Sequence, residues 1–123
     1  MNVRAIGLAA LLLAAQGVAA ATLDFTAASL DAIRARYAGK PFILSLWSAN
    51  GCGYCLKELA MFGELVKARP DLPLVFVSVD SPDFAPEMEA LLARHGLADK
   101  PSWVFNDDIP ERPRRAIDPQ WRG

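Results

Sequence analysis

Cys52 and Cys55, which enclose Gly53 and Tyr54, are the residues of this sequence best suited to covalent chemistry. A C-x-x-C pair can form a disulfide and exchange it with the thiols of another protein through a mixed disulfide. The pair closes too small a loop to restrain the unfolded chain much, so a purely structural disulfide is a weak explanation. The spacing therefore predicts a redox dithiol.

Metal sites also use the C-x-x-C spacing. Zinc generally needs four ligands, and this chain offers two cysteines and one histidine, so a mononuclear zinc site from one chain is poorly supported. Two thiolates are enough to hold Cu(I), so a copper-binding module stays open as the rival function. For the redox function we predict neither a bound cofactor nor a metal.

The segments around the cysteines predict a strand that leads into a helix. Residues 42–47 form a short apolar run typical of a strand, and a helix is predicted from about Cys52 to about Ala68. The unpaired N–H groups and the dipole at a helix start favour negative charge, which lowers the pKa of a thiol placed there. Cys52 is therefore predicted to attack the partner, and Cys55, one turn further on, to resolve the mixed disulfide.

Strands and helices alternate along the rest of the chain. The patterns predict a short edge strand at 23–26, a helix at 27–37, a strand at 72–79, a helix at 86–95 and a strand at 103–105. This alternation favours an α/β fold with a largely parallel sheet. The cysteines then lie at the carboxyl end of a strand, where the reaction sites of open α/β sheets gather.

The N-terminal residues have the pattern of a targeting segment. Arg4 precedes an apolar stretch at 6–15 and a small-residue stretch at 16–21. This pattern predicts a signal peptide at 1–21 and a single exported domain at 22–123. The expected location is periplasmic or otherwise extracytoplasmic. The alternative is a membrane anchor, if the segment is not cleaved.

The composition is ordinary for a globular protein, with 53% hydrophobic and 22% charged residues. The formal net charge of −1 argues against a nucleic-acid surface. The expected partners of the predicted redox dithiol are other proteins with thiols or disulfides.

The segment from Trp47 to Leu59 (WSANGCGYCLKEL) resembles the active-site segment of thioredoxin-like proteins, and is most similar to that of TlpA/ResA-type exported reductases. The resemblance implies a thioredoxin-like central sheet flanked by helices and a thiol-disulfide oxidoreductase. Such proteins often receive electrons from a membrane electron-donor protein, and often serve cytochrome c maturation. The pattern does not fix the direction of electron flow, because a reduction potential depends on local electrostatics.

The resemblance also implies roles for residues near the cysteines. Glu58 matches an acid that tunes the protonation of the cysteines or relays protons at the dithiol. The alternative is an ordinary solvated glutamate. Trp47, Gly53 and Tyr54 are predicted to contact the substrate, although core packing explains Trp47 at least as well.

Three features depart from the family pattern. Gly51 replaces the tryptophan that usually precedes the first cysteine. Ser45 stands where thioredoxins often carry a buried acid. The Gly-Tyr dipeptide between the cysteines resembles that of exported disulfide isomerases, which is too little to assign isomerase activity.

Thioredoxin-like sites also need a cis-proline that faces the dithiol, and two interpretations are open here. In the first, Pro101 is that proline and binds substrate. In the second, residues 103–105 form an earlier strand, and the AIDPQWRG run at 116–123 resembles the approach to the proline. The final hairpin and helix would then be missing, leaving an unpaired sheet edge and an uncovered face. A truncated, non-catalytic interaction domain is therefore a further alternative.

Overall fold

The computed structural model describes residues 21–122. The predicted signal peptide lies outside the described residues, apart from Ala21. The four strands are β1 (Leu23–Phe25), β2 (Ile43–Trp47), β3 (Leu74–Ser78) and β4 (Ser102–Phe105). The four α-helices are α1 (Ser29–Tyr37), α2 (Gly53–Ala68), α3 (Ala85–Arg94) and α4 (Glu111–Ile117). A 3-10 turn at Pro82–Phe84 leads into α3.

The strands form one parallel sheet in the order β1-β4-β3-β2. In the register of the β2–β3 pair, Ile43 lies opposite Leu74 and Trp47 opposite Ser78. β4 lies between β1 and β3, so β1 and β2 are the two edges of this sheet. The predicted α/β fold with a parallel sheet is confirmed, and the arrangement is consistent with a thioredoxin-like protein.

Apolar side chains cover both faces of the sheet, because successive residues of a strand point to opposite faces. The face under α2 and α3 holds the larger core cluster, which includes Trp47, Leu59, Phe62, Phe76, Met88, Leu92 and Val104. The other face packs on α1 and α4 through a cluster that includes Phe25, Leu30, Ile33, Val75 and Val77. β3 is buried along its whole length, which explains its continuous apolar sequence.

Gly63 lies in the middle of α2 and allows α2 and the end of α3 to come close together. A Cβ atom at this position would lie 2.5 Å from the carbonyl oxygen of His95, which follows α3. Real Cβ atoms essentially never come so close to another heavy atom. The glycine therefore serves close packing of two helices, at the cost of some helix propensity.

The buried Lys100 stabilises the opposite end of the sheet from the cysteines. Its Nζ donates hydrogen bonds to the backbone oxygens of Pro70, at 2.7 Å, and Leu72, at 3.0 Å. These bonds connect the residue before Pro101 to the loop that enters β3. Among residues 21–122, no helix is long and apolar enough to cross a membrane.

Candidate functional site at the start of α2

Cys52 and Cys55 form a disulfide at the point where the loop after β2 enters α2. The two sulfur atoms are 2.02 Å apart, and the Cα atoms are 5.2 Å apart. Both cysteines are half-buried, whereas Gly53 and Tyr54 between them are exposed. The chemistry predicted from the spacing is therefore compatible with the geometry of the pair.

Cys52 is the N-cap residue of α2. Its Sγ accepts a hydrogen bond from the backbone N–H of Cys55 at 3.2 Å, and its carbonyl oxygen accepts one from the N–H of Leu56. The first turn of α2 carries no acidic side chain. The helix start therefore directs N–H groups and the positive end of its dipole at the Cys52 sulfur, without a nearby carboxylate in that turn to oppose them. This environment favours the thiolate of Cys52 when the pair is reduced.

Asp80, just after β3, holds the loop that precedes Cys52. Its carboxylate accepts hydrogen bonds from the Ser48 hydroxyl at 2.5 Å, the Ala49 backbone N–H at 2.6 Å and the Ser78 hydroxyl at 2.7 Å. The backbone N–H of Val79 also donates to the carbonyl oxygen of Trp47. The ends of β2 and β3 are thereby joined, and the route of the chain from Trp47 to Cys52 is fixed.

The sequence patterns did not identify Asp80, which directly follows the strand predicted at 72–79, as a residue of the site. The sequence does contain an indication of this role. A carboxylate follows a fully buried strand, at the end of the sheet where β2 also ends. In a parallel sheet the carboxyl ends of neighbouring strands lie side by side. A polar group just after β3 is therefore placed to reach the loop after β2.

Trp47 lies beneath the dithiol rather than on the surface. It is only 2% exposed and packs edge-on against Phe76, and Cys55 and Ala49 pack against the cluster that contains it. Its indole Nε1 has no hydrogen-bond partner among the described residues. The structure therefore places Trp47 in the core as a support for the site, and does not bring it to a substrate-facing surface.

Glu58 and Tyr54 both lie on α2 near the cysteines. Glu58 is half-buried, three residues after Cys55, and its carboxylate makes no hydrogen bond or ion pair within residues 21–122. The proton-relay role of Glu58 remains a prediction. The Tyr54 side chain is 85% exposed, and the Lys57 ammonium lies 5.6 Å from its ring centre.

Pro101 is not brought together with the dithiol. It precedes β4 at the amino ends of the strands, whereas the cysteines follow the carboxyl end of β2. The Lys100–Pro101 peptide bond is trans, and the Pro101 carbonyl accepts a hydrogen bond from the N–H of Phe76. The interpretation of Pro101 as a cis-proline facing the cysteines does not fit this position. The parallel pairing of β4 with β1 and β3 agrees instead with 103–105 as an earlier strand.

Within residues 21–122 no group of three or more histidine, cysteine, aspartate or glutamate side chains is placed to hold a metal ion. No family model matches this chain, and searches of curated proteins and of solved structures also give no match. The function of the site must therefore be inferred from its own geometry. That geometry is an α/β fold with a C-x-x-C disulfide at a strand-to-helix junction, which is compatible with thiol-disulfide chemistry.

Proposed function

We propose that this protein is an exported thiol-disulfide oxidoreductase of the TlpA/ResA type, which exchanges disulfides with partner proteins. The observation that carries the proposal is the Cys52–Cys55 pair at the N-cap of α2. Its first cysteine faces the positive end of a helix, and both cysteines are half-buried rather than enclosed in the core. A disulfide with only a structural role gains little from this position.

The chemistry begins with the reduced pair. The Cys52 thiolate attacks one sulfur of a partner disulfide, a Cys52–partner S–S bond forms, and the other partner sulfur leaves as a thiolate. The Cys55 thiolate then attacks the Cys52 sulfur and releases the second partner thiolate. Two electrons have passed to the partner, and the Cys52–Cys55 disulfide is formed. A thiol protein, such as a membrane electron donor, would reduce it again; the reverse sequence oxidises a partner.

Four neighbouring residues are assigned to this reaction. The exposed Gly53 and Tyr54 offer a surface for the partner chain next to the sulfur atoms, and the Tyr54 ring is almost fully accessible. Glu58, one turn after Cys55, accepts or relays the proton that the resolving thiol must lose. Asp80 acts as a positioning residue through Ser48 and Ala49.

The predicted signal peptide supports the same function. The N-terminal pattern is that of a secretory signal peptide, and disulfides persist in oxidising compartments outside the cytoplasm. The proposed location is therefore periplasmic or otherwise extracytoplasmic.

Trapping of the mixed disulfide tests the proposal directly. The Cys55→Ser variant should accumulate a covalent complex with a disulfide-containing protein such as insulin, because the resolving thiol is missing. The matched Cys52→Ser variant should not. The wild-type pair should titrate as one two-electron couple in a redox-buffer series and should accelerate insulin reduction by dithiothreitol.

The outcomes separate the rival functions. If neither single-cysteine variant forms a mixed disulfide and the wild type does not speed insulin reduction, the oxidoreductase proposal is wrong and an interaction domain takes its place. Stoichiometric, tight Cu(I) binding by the reduced protein, lost in both serine variants, would instead support a copper-binding module.

A further inference from the structure

We propose that the partner of this dithiol is a protein with lysine or arginine residues beside the disulfide that it exchanges. The inference rests on the proposed function and adds the class of partner to it. The surface that selects this partner has two parts. One is the loop and helix start that present the dithiol, residues 48–56, and the other is the neighbouring segment 79–88, which we call the acidic segment.

The part of the chain that presents the dithiol has no charge of its own. Residues 48–56 contain no acidic or basic side chain. The first charged residues after it are Lys57 and Glu58, whose charges are opposite. The side-chain charges that act on a partner at the two sulfur atoms therefore come mainly from neighbouring segments.

The acidic segment leads from β3 into α3. It contains Asp80, Asp83 and Glu87 and no lysine, arginine or histidine. Asp83 and Glu87 are exposed, and none of the three forms an ion pair with a cation of residues 21–122. The segment therefore presents three negative charges that no neighbouring cation neutralises.

Contacts hold the acidic segment against the loop before Cys52. Asp80 accepts hydrogen bonds from Ser48 and Ala49, and β3, which precedes the segment, pairs with β2. Asp83 follows Asp80 by three residues, which span at most about 11 Å. This distance is close to the Debye length of about 8 Å at physiological ionic strength, so the charge of Asp83 still acts on a partner at the dithiol.

The cations that would neutralise these acids lie at the other end of the sheet. Arg36 and Lys40 precede β2, Lys67 and Arg69 precede β3, and Arg94 precedes β4. β2 has five residues and spans about 17 Å, which is about twice the Debye length. These cations are therefore screened from the dithiol, and the two ends of the domain differ in charge.

Tyr54 offers a second contact that suits a cation. It lies between the two cysteines and is 85% exposed, and the Lys57 ammonium lies 5.6 Å from the centre of its ring. An aromatic ring attracts a lysine or arginine placed over its face. Because so much of the side chain is exposed, the ring also has room for a cation of the partner. Tyr54 and the acidic segment thus favour the same kind of partner.

Two synthetic peptide disulfides test the proposal with the full-length wild type. Each is a dimer of one linear peptide joined through its single cysteine, flanked either by three lysines or by three glutamates, with a terminal fluorophore that is quenched until the disulfide breaks. The reduced protein gives two electrons to each dimer, releases two peptide thiols and forms its own disulfide. Each rate is divided by that of the same peptide with dithiothreitol, a neutral dithiol, which removes the effect of the flanking charges on the peptide thiols.

The normalised rate should be at least tenfold higher for the lysine peptide at low salt, since complementary charges act mainly on the rate of association. In 1 M NaCl the Debye length is about 3 Å, and the preference should nearly vanish.

Charge-neutralising variants locate the effect. Asp83→Asn combined with Glu87→Gln removes two charges of the acidic segment and keeps the shape of both side chains. The matched control is Asp71→Asn combined with Asp99→Asn, which removes two exposed acids at the other end of the sheet. The first pair should lower the preference for the lysine peptide at least threefold, and the control should leave it unchanged. Because the preference is a ratio of two rates for one protein, partial unfolding or an altered Cys52 thiolate does not change it.

The two ways of failing are distinct. Equal normalised rates for the two peptides, or the same loss of preference in the control pair, would overturn the cationic partner while the oxidoreductase function stands. Failure to reduce either peptide would refute the oxidoreductase function, and the cationic partner with it.

Discussion

Replacement of Asp80 should loosen the loop before the dithiol. The hydrogen bonds of its carboxylate determine how much unfolding free energy is lost. Its carboxylate accepts three of them, and a hydrogen bond to a charged group contributes about 1.5–3 kcal/mol. These bonds share one half-exposed acceptor, so they do not add fully. We expect Asp80→Ala to lower the free energy of unfolding by about 2–4 kcal/mol, or the melting temperature by roughly 10–25 °C.

Asp80→Asn should cost about half as much. The amide keeps one oxygen acceptor, and the hydroxyl of Ser48 can turn to accept from its NH₂ group. Urea unfolding followed by circular dichroism, with the disulfide intact, measures both variants. Asp83→Ala is the control, since Asp83 is a nearby exposed carboxylate whose side chain makes no hydrogen bond within residues 21–122. It should stay within about 0.5 kcal/mol of the wild type.

The same replacement should also slow mixed-disulfide formation at Cys52, because the loop no longer holds the sulfur at the helix start. A double-mutant cycle with Ser48→Ala isolates the contact, and we expect a coupling energy of about 0.5–1.5 kcal/mol. If Asp80→Ala unfolds like the wild type, or if the coupling is zero, Asp80 does not position this loop.

Three further predictions concern stability. Gly63→Ala should destabilise by about 1–2 kcal/mol in urea unfolding, because the clash with the His95 carbonyl outweighs the gain in helix propensity of up to about 1 kcal/mol; equal or greater stability would contradict the close contact. Lys100→Met should cost about 1–3 kcal/mol, since the carbonyl of Pro70 loses its donor and the buried carbonyl of Leu72 keeps only the N–H of Leu74; an unchanged urea midpoint would contradict this. Backbone N–H groups, first that of Ile109 and then that of Ala27, hold the pKa of Asp107 below its ordinary value. Its contribution to stability is therefore complete above about pH 4 and is lost as the pH falls through the lowered pKa, so the stability difference between the wild type and Asp107→Asn should shrink on acidification.

The sequence alone predicted the parts of the fold that rest on local patterns. The strand at 42–47 and the helix at 52–68 agree with β2 and α2 to within one residue. These elements have long apolar runs or a helical period, so local and tertiary preferences coincide. Gly63 lowers the helix propensity of 52–68, and only the close approach of His95, which follows α3, explains why a glycine stands there.

α4 was missed because its sequence carries no helical signal. Glu111–Ile117 contains Pro113 and follows Pro110, and three of its seven residues are arginines. The helix forms because Ile117 packs against the cluster beneath α1 and Pro113 is buried, and these tertiary effects cannot be seen in the sequence pattern.

The sequence predicted only part of the site, because some of its residues follow from a local motif and others from tertiary contacts. The positions of Cys52 and Cys55 follow from a local motif, and their disulfide at the helix start agrees with it. Asp80 and Pro101 depend on which strands are neighbours. Once β4 pairs with β1 and β3, Pro101 must lie at the far end of the sheet from the cysteines.

The pairing of β1 with β4 has a consequence for the order of folding. Leu23–Phe25 pair with residues about 80 positions further along, and with no other strand. Contacts between such distant residues pay a large loop-closure entropy before they gain any energy, and they form slowly. The N-terminal strand therefore cannot join the sheet until nearly the whole domain has been synthesised and β4 is in place. We expect the interactions of Phe25 to be absent from the folding transition state, so that weakening them speeds unfolding and leaves the folding rate almost unchanged.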